Sequence, residues 1–206
     1  MSISTESFDK KISIENLADM EKKFIPEAQD SYLKTYKYFL EYFENLDQIN
    51  ESNAVIGISF VYSWMPRILK INFEKEILPS VVSILNKAKN SHDLNLTPED
   101  FQKLQIFSNN SLVGASKFLH FINPSCFPIW DSNIARFFLG KFDQPTMSNI
   151  SNYLQYRESI LKFAKKKDFQ PIFVNIKNKL KGKSFYSEIT ELRAIELLIF
   201  YSTRKR

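Results

Sequence analysis

A lysine and an aspartate in the second half of the chain, Lys117 and Asp131, are the residues whose side chains point most directly to chemistry. A lysine amine is a nucleophile when it is neutral, and burial beside other cations favours the neutral form. A carboxylate can accept the proton of the amine or stabilise positive charge that grows during bond cleavage. Such a pair therefore holds the two groups that nucleophilic catalysis with a general base requires.

The elements that position this pair are predicted to be helices. Helical periodicity and capping residues predict one helix over 98–107, a polar break over 108–111, and a second helix, LVGASKFLHFI, that carries Lys117. Gly114 is assigned to the hairpin between these two helices. Asp131 is expected to cap the next helix, because its side chain can accept the first free amides of that helix.

The whole chain is predicted to be all-α. It has 206 residues, 44% of them apolar, and only 4 glycines, fewer than the turns of a β-rich protein would need. We expect a bundle of about 9–10 helices in two lobes around a cleft, with a helix-hairpin-helix element. Residues 1–12 are expected to be flexible, 13–96 to form an acidic helical lobe, and 97–206 to form a basic helix-hairpin-helix lobe.

Several helix boundaries are also predicted from local residues. A helix is expected to begin at Pro26, since proline is favoured in a first turn. A nearly wholly apolar helix from Ser52 is expected to kink or split at Pro66. A long helix is expected over 148–169.

Charge is distributed unevenly along the chain. Residues 1–100 hold 11 Lys/Arg against 16 Asp/Glu, whereas residues 101–206 hold 17 against 7. An excess of cations in one half favours a polyanionic partner such as nucleic acid. Lys165 and Lys166, in the densest basic stretch, are expected to contact its phosphates. A solubilising lysine face is the alternative interpretation.

Composition and missing motifs exclude several classes of protein. The single cysteine, Cys126, cannot form an internal disulfide or an iron–sulfur cluster held by cysteines. The two histidines, His92 and His120, are far apart, which argues against zinc chemistry, and no standard nucleotide-binding loop is present. No signal peptide or membrane span is apparent, so we expect a cytoplasmic monomer with no cofactor, no metal and no membrane partner.

The layout of residues 104–140 resembles the helix-hairpin-helix DNA glycosylase superfamily, and SKFLHFINPSCFPIWDSNIARFF is similar to its bacterial 8-oxoguanine-type branch. In that family a glycine-containing hairpin sits on the DNA backbone, a lysine follows the hairpin in bifunctional members, and an aspartate opens the next segment. The resemblance assigns these three places to Gly114, Lys117 and Asp131. It implies a DNA glycosylase with Schiff-base AP-lyase chemistry on a flipped damaged or modified base in double-stranded DNA, with 8-oxoguanine as the first expectation.

Three neighbours of the pair are expected to contact DNA or the flipped base. Ser116 precedes the lysine, His120 lies one helical turn after it, and Trp130 precedes Asp131, where an aromatic ring could wall a base pocket. Four residues have a structural alternative. His120 and Trp130 could be packed in the core, Asp131 could serve only as a helix cap, and Lys117 could be an ordinary exposed lysine. A non-catalytic DNA- or RNA-binding protein and a protein–protein adaptor remain as alternative functions.

Overall fold

The structure, a computed structural model, describes residues 8–27, 29–65, 67–73, 76–90, 96–183 and 185–203. Within these ranges it contains eleven α-helices, one short 3-10 helix and no strand, which confirms the all-α prediction. The helices are α1 (Ile14–Lys23), α2 (Ser31–Glu44), α3 (Glu51–Ser63), α4 (Ile77–Lys89), α5 (Pro98–Phe107), α6 (Leu112–Ile122), α7 (Ser132–Leu139), α8 (Gln144–Met147), α9 (Ile150–Ala164), the 3-10 helix (Lys167–Phe169), α10 (Gln170–Lys181) and α11 (Glu191–Thr203).

Two compact units divide the chain, and the division is not the one that the charge distribution suggested. Residues 37–129 form one unit, here called the central unit, and residues 1–36 together with 130–206 form the other, here called the discontinuous unit. The expected boundary between residues 96 and 97 falls inside the central unit. The central unit holds 8 Lys/Arg against 9 Asp/Glu, whereas the discontinuous unit holds 20 against 14. The helix-hairpin-helix segment therefore belongs to the nearly neutral unit, and not to a basic lobe.

In the central unit, α6 is the buried helix and packs against α3, α4 and α5. All of its residues except Val113 are buried, as expected for a helix that lies inside a core. Gly57 of α3 makes close packing possible, because a Cβ at this position would clash with the ring of Phe43 and would lie 2.8 Å from Cε2 of Phe118. The core of this unit is thus built around the helix that carries Lys117.

In the discontinuous unit, α11 is the central element and packs against α1, α7, α9 and α10. Its residues 192–199 are all buried. Residues 8–12, expected to be flexible, take part in this core: Phe8 is fully buried, and its ring centroid lies 5.3 Å from that of Phe138. Phe8 and Ile12 are thus the apolar side chains that this polar stretch contributes to the core, and the flexibility expected of residues 8–12 stays a prediction. Residues 1–7 lie outside the described residues.

The start of α2 shows how local capping overrides a proline signal. The helix expected to begin at Pro26 begins at Ser31. Asp30 caps it, because its Oδ1 accepts the amide protons of Tyr32 at 2.9 Å and Leu33 at 3.2 Å. A capping carboxylate satisfies two amides that the first turn leaves free, so it sets the helix start.

Other boundaries differ from prediction by short segments. The helix expected over 148–169 is α9 followed by the 3-10 helix, and the four-residue helix α8 was not predicted. Helix α3 ends at Ser63, and Pro66, where a kink was expected, lies outside the described residues. No helix in the described ranges is long and apolar enough to cross a membrane.

Candidate functional site

The helix-hairpin-helix segment consists of α5, a four-residue connection and α6, which pack against each other within the central unit. Asn109 and Asn110 in the connection adopt left-handed conformations, with φ of 58° and 53°. Asparagine tolerates this region better than most residues with a side chain, so the turn forms without glycine. The amide of Ser111 donates to Ser108 O at 3.0 Å and closes the turn.

Gly114, expected in the hairpin, lies in the first turn of α6 instead. Its amide donates to Ser111 Oγ at 3.1 Å, so the helix cap uses an amide that was expected to meet a phosphate. Its missing side chain has a packing role, because a Cβ there would lie 3.2 Å from Cε2 of Tyr62. The Tyr62 hydroxyl donates to Ser108 O at 2.7 Å and ties α3 to the connection. Tyr62 was not among the expected residues, and its only sequence signal is a hydroxyl within an apolar helix.

Lys117 lies on α6, six residues after the helix cap at Ser111. Its side chain is buried, with a residue exposure of 9%. Lysine is seldom buried, because burial removes the water that hydrates its ammonium group and this costs free energy. The alternative of an ordinary exposed lysine is therefore wrong. Ser116 beside it is fully buried and donates from Oγ to Val113 O at 3.0 Å, so this hydroxyl is engaged by its own helix.

His120 is fully buried on α6. Its Nδ1 lies 2.8 Å from Phe127 O. Since a carbonyl oxygen only accepts, Nδ1 must carry the hydrogen of this bond. The imidazole thus ties α6 to the turn that follows it. A side chain with no accessible surface cannot touch DNA in this conformation, so the structural alternative holds for His120.

Asp131 belongs to the discontinuous unit, whereas Lys117 belongs to the central unit. Asp131 caps α7, as predicted: its Oδ1 accepts the amide protons of Asn133 and Ile134, each at 2.9 Å. The carboxylate is half-buried, and its second oxygen, Oδ2, takes no part in the cap. Capping therefore accounts for one oxygen of Asp131 and leaves the other for a further role.

Trp130, expected as a possible wall of a base pocket, is a core residue of the discontinuous unit. It is fully buried, and its Nε1 donates to Met147 O at 3.2 Å. Its ring centroid lies 5.3 Å from that of Tyr156. A buried indole whose N–H is already bonded has a packing role, so the pocket-wall expectation is wrong in this conformation.

A cluster of buried polar side chains surrounds Tyr156 in the discontinuous unit. Arg193 Nη1 donates to Glu196 Oε2 at 3.2 Å. Burial raises the pKa of the Tyr156 phenol well above its ordinary value, and Glu196, Tyr153 and Asp131 raise it further. The Tyr156 hydroxyl has no hydrogen-bond partner among the described residues. The cluster thus holds a neutral hydroxyl within electrostatic range of Asp131, and its sequence signal was the arginine and glutamate inside the apolar run of α11.

The expected phosphate-contacting lysines are exposed at the C-terminal end of α9. Lys165 is its C-cap, and Lys166 lies with its Nζ 4.6 Å above the ring of Phe163. Nearby Lys162 is engaged differently, because its Nζ donates to Asp9 Oδ2 at 3.0 Å. Exposed lysines at the end of a helix can reach a phosphate of a bound nucleic acid.

A small surface pocket of about 70 Å³ lies beside this ion pair, lined by Asp9, Ile12, Ser159, Lys162, Phe163 and Lys166. Burial would raise the pKa of the Asp9 carboxyl, but hydrogen bonds from Ser159 and Lys162 and the charges of Lys162 and Lys166 outweigh it and lower the pKa. No group of three or more His, Cys, Asp or Glu side chains in the described part of the chain is arranged to hold a metal ion.

Comparison of the chain with protein-family models, with curated proteins and with solved structures found no match in any of the three.

Proposed function

We propose that the protein is a DNA base-excision enzyme, a glycosylase with AP-lyase chemistry that acts on a flipped damaged or modified base. The observation that carries the proposal is the burial of Lys117 six residues beyond a helix-hairpin-helix connection. Desolvation of a lysine favours the neutral amine, which is the nucleophilic form. The resemblance of residues 104–140 to the glycosylase superfamily supplies the substrate class, with 8-oxoguanine as the first candidate.

The proposed reaction begins with attack of the Lys117 amine on C1′ of the extruded nucleotide. The bond from C1′ to the base nitrogen breaks, and the base leaves with the electron pair and takes up a proton. Opening of the sugar ring gives a Schiff base between the lysine and C1′, which permits elimination of the 3′ phosphate. The lysine releases a proton to a carboxylate that also stabilises positive charge on the sugar, and the resemblance assigns this role to Asp131.

The connection between α5 and α6 has the proposed role of holding the DNA backbone. The Gly114 amide already donates to the side chain of the capping residue, Ser111. At the N-terminus of α6, the amides of Leu112 and Val113 are therefore the ones that would bind a phosphate. Backbone amides contact phosphate without reading the base sequence, as an enzyme that scans duplex DNA requires. Lys165 and Lys166 would add phosphate contacts from the discontinuous unit.

Borohydride trapping tests the proposal. The protein is mixed with duplexes that carry 8-oxoguanine, uracil or an abasic site, and the trapped adduct is measured for the wild type, Lys117→Ala and Asp131→Asn. Lys103→Ala is the matched control, because Lys103 is an exposed lysine of α5. We expect an adduct with the wild type and the control that disappears with Lys117→Ala. An adduct that persists in Lys117→Ala would refute the role of this lysine.

A non-catalytic DNA-binding protein is the second candidate. The complete burial of His120 and Trp130 favours it, because these were the side chains expected beside a flipped base. Tight duplex binding with neither a trapped adduct nor base release on any of the three duplexes would support this candidate against the glycosylase.

A further inference from the structure

The segment that precedes α1 places a carboxylate against the C-terminal half of α9. Asp9 is half-buried, and its Oδ1 accepts a hydrogen bond from Ser159 Oγ at 2.6 Å. Its Oδ2 accepts one from Lys162 Nζ at 3.0 Å, and Lys166 lines the same small pocket. Lysine ammonium groups and serine hydroxyls are also the donors that hold nucleic-acid phosphates. The chain's own carboxylate thus lies where a phosphate would find its usual partners.

The three donors belong to one short stretch of chain that does not include Asp9. Ser159 is 1% exposed on α9, and Lys162 follows it by three residues on the same face of the helix. Lys166 lies just past the end of α9, with its Nζ 4.6 Å above the ring of Phe163. The donors therefore stay together when the Asp9 side chain turns away.

Asp9 can leave this place while its segment stays docked. Phe8 and Ile12, on either side of it, are buried in the discontinuous unit, so release of Lys162 requires only a rotation of the Asp9 side chain. The ion pair is at the surface, because the Lys162 side chain is 69% exposed and that of Asp9 is 32% exposed. Water and salt screen such pairs, so an anion from outside can compete for the lysine.

The surrounding charges favour a chain of phosphates over a single phosphate ion. Residues 162–168 hold four lysines and one carboxylate, Asp168, so the cations continue beyond the pocket. Two exposed carboxylates are close by, Glu15 near Lys166 and Glu158 near Lys162. Among the described residues, neither of them forms an ion pair with these lysines. A nucleic-acid backbone can contact several lysines of this row at once, which a single ion cannot.

We propose that Ser159, Lys162 and Lys166 form a binding site for a nucleic-acid phosphate, and that Asp9 occupies this site until the backbone displaces it. The carboxylate then acts as an internal competitor that lowers the affinity for nucleic acid. The inference rests on the proposed function only in that nucleic acid is the partner, and it requires no cleavage of the glycosidic bond.

Removal of the carboxylate tests this competition. The affinity for a fluorescein-labelled, undamaged DNA duplex is measured by anisotropy over a series of salt concentrations. The full-length proteins are the wild type, Asp9→Asn, Lys162→Ala and the double variant. Asparagine keeps an oxygen that can accept the Ser159 hydrogen bond, so the segment should stay docked. Asp19→Asn is the matched control, because it removes an exposed carboxylate paired with Lys22 at 3.0 Å in the same unit.

We expect Asp9→Asn to bind the duplex about fivefold more tightly than the wild type at about 0.15 M salt. The slope of log K against log salt should be steeper by about 0.9, the value of one added phosphate contact. The double variant should bind no more tightly than Lys162→Ala, because the gain depends on this lysine. Asp19→Asn should show neither the gain in affinity nor the steeper slope.

Three results would overturn the inference: no gain in Asp9→Asn, an equal gain in Asp19→Asn, or a gain that survives Lys162→Ala. Loss of the gain when inorganic phosphate is added at matched ionic strength would show that a free ion fills the site, and the nucleic-acid assignment would be wrong. A gain in Asp9→Asn without any trapped adduct would leave the inference standing while the glycosylase proposal fails. A trapped adduct with equal affinities would do the reverse.

Discussion

Replacement of Asp131 by asparagine separates its helix-capping role from its proposed chemical role. The Asp131 Oδ1 accepts two amide protons at 2.9 Å, those of Asn133 and Ile134, and an asparagine side-chain oxygen can accept the same two bonds. Asparagine and aspartate rank equally as N-caps, so Asp131→Asn should change the free energy of unfolding by no more than about 0.5 kcal/mol. Alanine removes the cap and should cost about 1–2 kcal/mol.

These energies convert into measurable melting temperatures. For a chain of 206 residues, each kcal/mol shifts Tm by about 2–4 °C, so Asp131→Ala should melt roughly 2–8 °C below the wild type and Asp131→Asn within about 2 °C of it. Base release in single-turnover assays should nevertheless fall by about 10²–10⁴-fold in both variants, because a positioned acid–base group contributes that much. The stability of Asp131→Asn should thus resemble that of the wild type, while its activity resembles that of Asp131→Ala.

A matched control exists in the same unit. Asp143 caps α8 in the same way, since its Oδ1 accepts the Thr146 amide at 2.9 Å. Asp143→Asn should leave both Tm and base release unchanged. Wild-type base release by Asp131→Asn, together with a lowered Tm for Asp131→Ala, would show that Asp131 is a cap alone and would refute the chemical role.

Three further predictions follow from packing, protonation and surface charge. Gly57→Ala should lower the free energy of unfolding by about 1–3 kcal/mol in urea titrations, because the new methyl group meets the ring of Phe43 in a filled core. The lowered pKa of Asp9 means that its ionised carboxylate stabilises the folded protein. This contribution is fully present above the pKa of the carboxyl in the unfolded chain, and it is lost as the pH falls through the lower pKa of the folded state. Asp9→Asn should remove the contribution, so the Tm values of the variant and the wild type should converge in acid. Lys165→Ala and Lys166→Ala should each reduce the slope of log K against log salt for duplex DNA by about 0.9.

Each of these predictions has a control in the same chain. Gly182→Ala should cost less than Gly57→Ala, because a Cβ there would meet only backbone oxygens, the nearest at 3.3 Å. Asp19→Asn changes an exposed carboxylate paired with Lys22 at 3.0 Å, and should leave the acid limb of the Tm profile unaltered. Lys22→Ala should leave the slope of log K against log salt unaltered. If Lys22→Ala reduced the slope as much as Lys165→Ala and Lys166→Ala do, then Lys165 and Lys166 would not be specific phosphate contacts.

Local hydrogen bonding is the part of this fold that could be predicted from sequence. Thr97 and Asp100 form the capping box of α5, with the Thr97 amide 2.9 Å from Asp100 Oδ2. Asp131 begins α7, and Gly140 ends it in a left-handed conformation with φ of 71°. Each of these features depends on residues within a few positions of one another. The pattern of apolar residues and caps was therefore sufficient for the helical class, for both ends of α5 and α6 and for the start of α7.

The candidate site could be predicted only in part. The positions of Lys117 on α6 and Asp131 at the start of α7 follow from the same local rules. The burial of Lys117 and His120 does not, because it depends on whether α6 lies at the surface or inside a core. The packing role of Gly114 depends on Tyr62, which is 52 positions away in sequence and adjacent in space.

The sequence by itself determined that the chain is helical, where α5 and α6 begin and end, and which residue types could carry nucleophilic and acid–base chemistry. Only the tertiary structure decided which segments share a core: residues 1–36 join 130–206, and residues 37–129 form a unit of their own. Charge counted along the chain could not reveal this, because long-range packing is set by the fit of side chains from distant segments. The same packing buried Trp130 and left Ile68 exposed, although both are apolar residues in apolar stretches.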